Sequence, residues 1–285
     1  MLKSVRAPAL FGILVLAIPL LASHAAHAFD ESINFQPGLN LYTEVEQMTD
    51  LFGAHGSQLC GPVSITHGMT YLKYGVGFKS LAEVKDLDHD GKADTYRDKI
   101  RYFFSACNTD RNTGTHYQDV QNCMQSYVEQ SGYKAYSYMV GPHAINSPEG
   151  VPLETMKHVL TVKDVRTYVG ARVLVLMGVG WYDYNATTRT YTRIGGHFFN
   201  VYGYDYDTAW GESHITLKAV NSLVNYAGRA RQDMYDSVEM SALPQDGSTY
   251  PVETQFVLTG PGFSFTQKTL VEDLFFVLPT APDPL

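Results

Sequence analysis

Apolar residues change their spacing near the middle of the chain, and the change separates two kinds of predicted element. From Gly61 to Tyr74, Val63, Ile65, Met69 and Leu72 recur at helical spacing, with Pro62 suited to a first helical position and Gly75 to a stop. Ser80 with Glu83 makes a capping box for a short helix, Asp94 can cap another running to about Ser105, and Thr115 with Gln118 can start a third through Tyr127. Gly141 to Pro152, which holds Pro142, Pro148 and Gly150, interrupts the pattern. Beyond it, Thr161 with Asp164 begins a short helix, and Ala171 to Gly180 is a continuous apolar run of strand length, which predicts a buried central strand. Trp181 to Tyr191 and Thr192 to Asp205 then alternate aromatic and polar residues around Asn185-Ala186-Thr187. Further strand patterns follow at His214 to Val220, Thr254 to Leu258 and Asp273 to Leu278. The expected fold is α+β, a helical lobe packed against an antiparallel β-sheet lobe.

Composition narrows the setting. Lys3 and Arg6, the apolar stretch Leu10 to Leu21 and the small-x-small site Ala26-His27-Ala28 read as a cleaved secretory signal over residues 1–28. The expected organisation is therefore a domain over 29–278 and a frayed tail over 279–285, in a secreted or periplasmic protein with no membrane span after signal removal. Loss of Lys3 and Arg6 moves the net charge from −8 to −10, and this acidity, spread along the chain, argues against nucleic acid as a partner. Hydrophobic residues make up 45% of the chain, enough for a substantial core.

The chain has three cysteines. Cys107 and Cys123 can pair with each other, closing a loop worth ~3 kcal/mol by the chain-entropy model. That leaves Cys60 unpartnered in a compartment where a free thiol is reactive, at the expected N-terminus of a helix. A helix N-terminus with a neighbouring imidazolium lowers a thiol's pKa and creates the nucleophilic thiolate. The partner imidazole is expected at His197, in Gly196-His197-Phe198-Phe199-Asn200. If Asp205 to Ser213 form a hairpin loop centred on Ala209, His197 falls opposite Asn221, Phe199 opposite Ala219, Val201 opposite Leu217 and Gly203 opposite Ile215, while Asn200 meets Lys218 on the other face. One face is then apolar and ends in a His–Asn pair. His55, His67, His89, His116, His143, His158 and His214 lack such a strand context and are read as surface or local cap residues.

With these residues in hand, the chain resembles papain-like cysteine peptidases, most closely the branch that processes bacteriocin leaders. The matching pieces are Gln58-Leu59-Cys60-Gly61-Pro62-Val63-Ser64, Gly196-His197-Phe198 leading to Gly203-Tyr204-Asp205, and Val220-Asn221-Ser222, over roughly Gly53 to Ser222. The resemblance implies papain-like architecture, a peptide or protein substrate, a thiolate at Cys60, a general base and acid at His197, and an orienting carboxamide at Asn221. No cofactor for catalysis is implied. The family's oxyanion glutamine usually lies about six residues before the nucleophile, where this chain has Ala54; the backbone N–H of Cys60 with a donor from Gln58, two before, or from Ser57 or His55 takes its place. The same triad also serves acyltransferases of transglutaminase or phytochelatin-synthase type, and a catalytically silent, calcium-stabilised binding module is the alternative from another class.

Asp86, Asp88, Asp90 and Asp94 occupy the first, third, fifth and ninth places of a calcium-loop pattern with Gly91 at the sixth. Arg97 stands at the twelfth place, where a bidentate carboxylate belongs, so the segment reads either as a structural Ca²⁺ site or as a solvated acidic turn. Asn185-Ala186-Thr187 matches a glycosylation acceptor, and the 20 tyrosines read as amphipathic sheet filling.

Overall fold

The computed structural model describes residues 31–34, 58–82, 91, 96–171, 173–224, 235–263 and 267–280. Residues 1–28, expected to be a signal, and His55, Ser57, His89 and the aspartates of the calcium-loop pattern lie outside these residues. The helices are α1 (Cys60–Tyr71), α2 (Tyr96–Ala106), α3 (Tyr117–Gln130), the single turn α4 (Leu153–Met156) and α5 (Val162–Gly170). The strands are β1 (Glu31–Asn34), β2 (Lys134–Val140), β3 (Leu174–Asn185), β4 (Thr190–Tyr206), β5 (His214–Val220), β6 (Asp236–Ala242), β7 (Phe256–Thr259) and β8 (Lys268–Thr280). The fold is α+β, and every pairing between named strands is antiparallel, with one isolated parallel bridge between Thr190 and Thr249. No helix among the described residues is long and apolar enough to cross a membrane.

The strands run in the order β1-β4-β3-β8-β7-β6-β5, and β5 pairs back onto β4. Six strands, β4, β3, β8, β7, β6 and β5, thus form a closed ring, which removes the exposed edges an open sheet would present. β1 pairs with residues 203–206 of β4 beyond the end of β3, and β2 pairs with residues 274–280 of β8 beyond β7. Pro279 and Thr280, expected in a frayed tail, belong to β8, where they pair with Ala135 and Lys134.

The apolar run of β3 has residues facing both ways, and both faces are covered, as expected for a central strand. Val175, Met177 and Val179 join a core to which all six strands of the ring contribute, among them Phe199, Leu217, Val238, Leu258 and Val271. Leu174 and Leu176 point into a second core with Phe198 and Phe275, where Ile65, Met69, Phe103 and Met124 arrive from the helices. α1 is buried almost all round, which places it at the centre of the helical layer. Two hydrogen bonds fix it to the sheet: Ser64 Oγ donates to the Phe198 carbonyl at 2.9 Å, and Asn200 Nδ2 donates to the Ser64 carbonyl at 3.0 Å. A Cβ on Gly68 would lie 2.1 Å from Leu174 Cδ1, so glycine permits the close approach of α1 to β3.

Several expected boundaries move. α1 passes into a π turn at Leu72–Val76 and stops at Gly77, whose left-handed backbone (φ 103°) makes the cap expected at Gly75. Ser80 lies in a short 3₁₀ turn, Lys79–Ala82, and its hydroxyl donates to the Ser131 carbonyl at 3.1 Å, so tertiary contact replaces the expected cap. His116 precedes α3 without a side-chain cap, because the Thr115 hydroxyl pairs with that of Thr109 at 2.8 Å. The Thr161/Asp164 capping box is present as expected. β1, β2 and β6 have no counterpart in the sequence reading.

Candidate active site

Cys60 is the first residue of α1, 8% exposed, and is a free thiol; Cys107 and Cys123 form the disulfide that links the end of α2 to α3. His197 lies within β4, and Asn221 follows the last residue of β5, both buried. The Nε2 of His197 and Oδ1 of Asn221 are 2.8 Å apart. The carboxamide is fixed from its far side: Oδ1 accepts the Leu223 N–H at 3.0 Å, and Nδ2 donates to the Pro261 carbonyl at 3.3 Å. An oxygen facing the ring obliges Nε2 to carry the proton, which leaves the lone pair on Nδ1. Trp181 stacks on the imidazole with ring centroids 5.9 Å apart and planes 10° from parallel, holding the ring by its face.

The His–Asn pair forms in a register different from the expected one. Asn200 pairs with Val220 and Val201 with Ala219, a slide of two residues, and a bulge after Val201 sets Gly203 against Lys218 and Tyr204 against Leu217. The loop after β4 is also shorter than expected, since β4 runs on to Tyr206 and Asp207 caps a turn at Thr208–Ser213. A slide of two preserves the face on which each side chain stands, whereas a slide of one would reverse it. Asn221 therefore reaches His197 diagonally instead of directly. Asn200 and Lys218 do not meet: Asn200 binds Ser64 of α1, and Lys218 Nζ pairs with Asp205 at 2.8 Å.

Cys60 and His197, without a hydrogen bond to each other among those described, both border a cleft of about 440 Å³, and Asn221 stands off its wall. Gln58, Cys60, His197 and Phe198 line it, together with Thr113 to Tyr117, His143, Arg193, Gly195 and Gly196. The Thr113 to Tyr117 wall belongs to the loop closed by the disulfide. Within that loop Asp110 and Gly114 exchange backbone hydrogen bonds, and the Asp110 carboxylate accepts from the N–H groups of Asn112 and Thr113 at 2.7 and 2.8 Å. A Cβ on Gly61 would sit 2.7 Å from Thr115 Oγ1, so the start of α1 and the loop are in close contact.

Sequence reasoning missed the acidic and basic groups around this cleft. Glu272, buried in β8, accepts from Arg193 Nε at 2.8 Å and Nη2 at 3.0 Å, from Tyr182 Oη at 2.7 Å, and from Tyr117 Oη. Asp273, fully buried beside it, accepts from the His143 backbone N–H at 3.1 Å and bonds its Nδ1 at 2.7 Å. His143 is exposed, as expected of a surface residue, but is tied to a buried carboxylate, and Tyr117 lies on α3 instead of filling a sheet. The legible signal was two adjacent carboxylates inside the apolar run Val271-Glu272-Asp273-Leu274. His116, exposed at the N-cap position of α3, keeps the surface reading although it borders the cleft, whereas His67, buried in α1 against Tyr96, does not. His158 bonds the capping residue Asp164, as expected of a local cap, and His214 pairs with Ser241 and Glu239.

Burial sets the resting charge of the site. It pushes the Cys60 thiol above its ordinary value, outweighing hydrogen bonds from the backbone N–H groups of Phe198, Gly61 and Cys60 itself. Burial also lowers the His197 imidazole to about 4, with the Asn221 hydrogen bond opposing. The expected thiolate therefore gives way to a neutral thiol and a neutral imidazole, because two charges would have to leave water together. Burial alone would raise Glu272, but Arg193 and the two tyrosines hold it below the usual carboxylate range.

No protein-family model matches the chain, and no curated protein is found similar to it. Among the described residues no grouping of His, Cys, Asp and Glu side chains is suited to a metal ion.

Proposed function

We propose that the protein is a thiol peptidase or amidase of papain-like architecture, with Cys60 as nucleophile, His197 as general base and acid, and Asn221 as the residue that orients the imidazole. The supporting observation is the 2.8 Å His197–Asn221 hydrogen bond, buried in the sheet, whose histidine borders the same cleft as an unpaired cysteine at a helix N-terminus. Nδ1 takes the thiol proton while the sulfur adds to the substrate carbonyl. The backbone N–H of Cys60 and the Gln58 side chain are the donors assigned to the tetrahedral oxyanion. The imidazolium then gives its proton to the leaving amine, the C–N bond breaks, and a thioester remains on Cys60. Water, deprotonated by His197, adds to the thioester and releases the acid and the free thiol.

Because the resting pair is neutral, the proton moves during attack instead of before it. Iodoacetamide labelling followed by peptide mapping tests this reading. Modification of Cys60 should rise about tenfold per pH unit through neutrality with no acid plateau, since the thiolate fraction grows with pH below a raised pKa. Hydrolysis of a peptide library should disappear in Cys60→Ala. Native-state resistance of Cys60 to labelling, or hydrolysis that survives the substitution, would contradict the assignment; resistance fits a silent binding module that keeps this fold.

A further inference from the structure

The cleft wall reverses the charge sign of the chain. The chain carries 29 Asp and Glu against 21 Lys and Arg, yet Arg193, His143 and His116 line the cleft and no carboxylate is among its described lining residues. The counter-charges stand behind the wall, Glu272 at 1% and Asp273 at 0% exposure. Each carboxylate occupies one edge of its cation. Arg193 commits Nε and Nη2 to Glu272 and Tyr117, which leaves the two donors of Nη1 without a partner among the described residues, on a side chain 45% exposed. His143 commits Nδ1 to Asp273 and leaves Nε2, also on a side chain 45% exposed. Tyr117 ties the two together, since its hydroxyl accepts from Arg193 Nη2 at 3.2 Å and its ring lies 5.1 Å from that of His143. Arg193 also lies against the strand next to His197: a Cβ on Gly196, the residue before it, would lie 2.5 Å from the Arg193 Nη2.

We propose that Arg193 Nη1 and His143 Nε2 form a subsite for a substrate carboxylate, so that the preferred substrates are peptides or amides with a carboxylate close in sequence to the scissile bond. The cleft volume supports proximity, because about 440 Å³ lies in the lower part of the range that holds a small ligand. A guanidinium with its far edge anchored presents planar, preorganised donors that match a carboxylate. The Asp273 hydrogen bond favours the protonated form of His143, in which Nε2 also donates. The carbonyl chemistry rests on the peptidase reading; the anion site does not.

Calorimetry on Cys60→Ala separates the two. The probes are N-acetyl-trialanine as free acid and as amide, and N-acetyl-Ala-Glu-Ala-amide against its Gln counterpart, so that a terminal carboxylate and a side-chain carboxylate are distinguished. At least one carboxylate probe should bind about tenfold tighter than its neutral twin, and the preference should shrink at high salt. Arg193→Gln alone would strand a buried Glu272, so the preference should be erased in the double variant Arg193→Gln/Glu272→Gln, which keeps hydrogen-bond partners without charge, and reduced in His143→Gln. Equal binding of acid and neutral probes, binding of none, or a preference that survives the double variant would overturn the subsite. An intact preference in Cys60→Ala, with no hydrolysis of any probe by the wild-type protein, would retain the subsite and remove the peptidase reading.

Discussion

His197 lies where burial and orientation conflict, and the conflict has a measurable signature. The folded protein holds its imidazole at about 4, whereas an unfolded chain leaves it near the ordinary 6.5, so below 6.5 the unfolded state binds a proton that the folded state refuses. Stability from this group is complete above about pH 6.5 and is lost as pH falls toward 4, an effect of about 3 kcal/mol. Denaturant unfolding at pH 7 and pH 4.5 should show this loss in the wild-type protein and a smaller one in His197→Gln. Asn221→Ala acts differently. It removes the acceptor that fixes the tautomer and the ring angle, and the near-parallel rings of Trp181 and Phe199 are left to hold the imidazole. Turnover should fall about a hundredfold, in line with the cost of a small misplacement of a reacting group, while Cys60 remains available to iodoacetamide. A fall in both to the level of His197→Ala would give Asn221 a larger part than orientation.

At the scale of elements, the cleft has two walls of different construction. β4 is bonded along both edges and pinned to α1 through Ser64 and Asn200. The opposing loop depends on the Cys107–Cys123 disulfide and a few local hydrogen bonds. In Cys107→Ser/Cys123→Ser the fold should lose about 3 kcal/mol, the entropy of a loop of this length. KM should rise more than kcat falls, since the loop binds while the His–Asn pair stays in place; the reverse split in steady-state kinetics would refute that division of labour. This contrast also explains what was legible in the chain. The helix at Cys60, the apolar β3 and the Thr161/Asp164 cap follow from short-range periodicity and capping, which sequence carries directly. The His197–Asn221 proximity survived a wrong register because parity alone decides the face. The Arg193–Glu272 and His143–Asp273 pairs were not readable, because they depend on β2 and β8 meeting across more than a hundred residues and on a β-bulge at Gly178/Val179.

For the molecule as a whole, ring closure gives all six strands partners on both sides, and β3, β4 and β8 are the most interlocked because β3 has the longest ladders and β4 and β8 each take a third partner, β1 and β2. Their amides should exchange with deuterium only through global unfolding, whereas Thr109 to Thr115 should exchange through smaller local openings. Faster exchange in β4 than in that loop would contradict the closed ring. The two carboxylates on β8 belong to this scale as well, since they fix side chains from β3, β4, α3 and the segment after β2 onto one strand.

The glycine that ends the disulfide loop's bridge, Gly114, packs against Gln58 at the cleft, where a Cβ would lie 3.2 Å from Gln58 Oε1. Arg111 to Thr113, exposed residues of that loop, can be exchanged without disturbing the staves that aim the imidazole. Under the proposed reading, changes in substrate preference should therefore be recorded at those exposed positions, while the barrel beneath stays conservative.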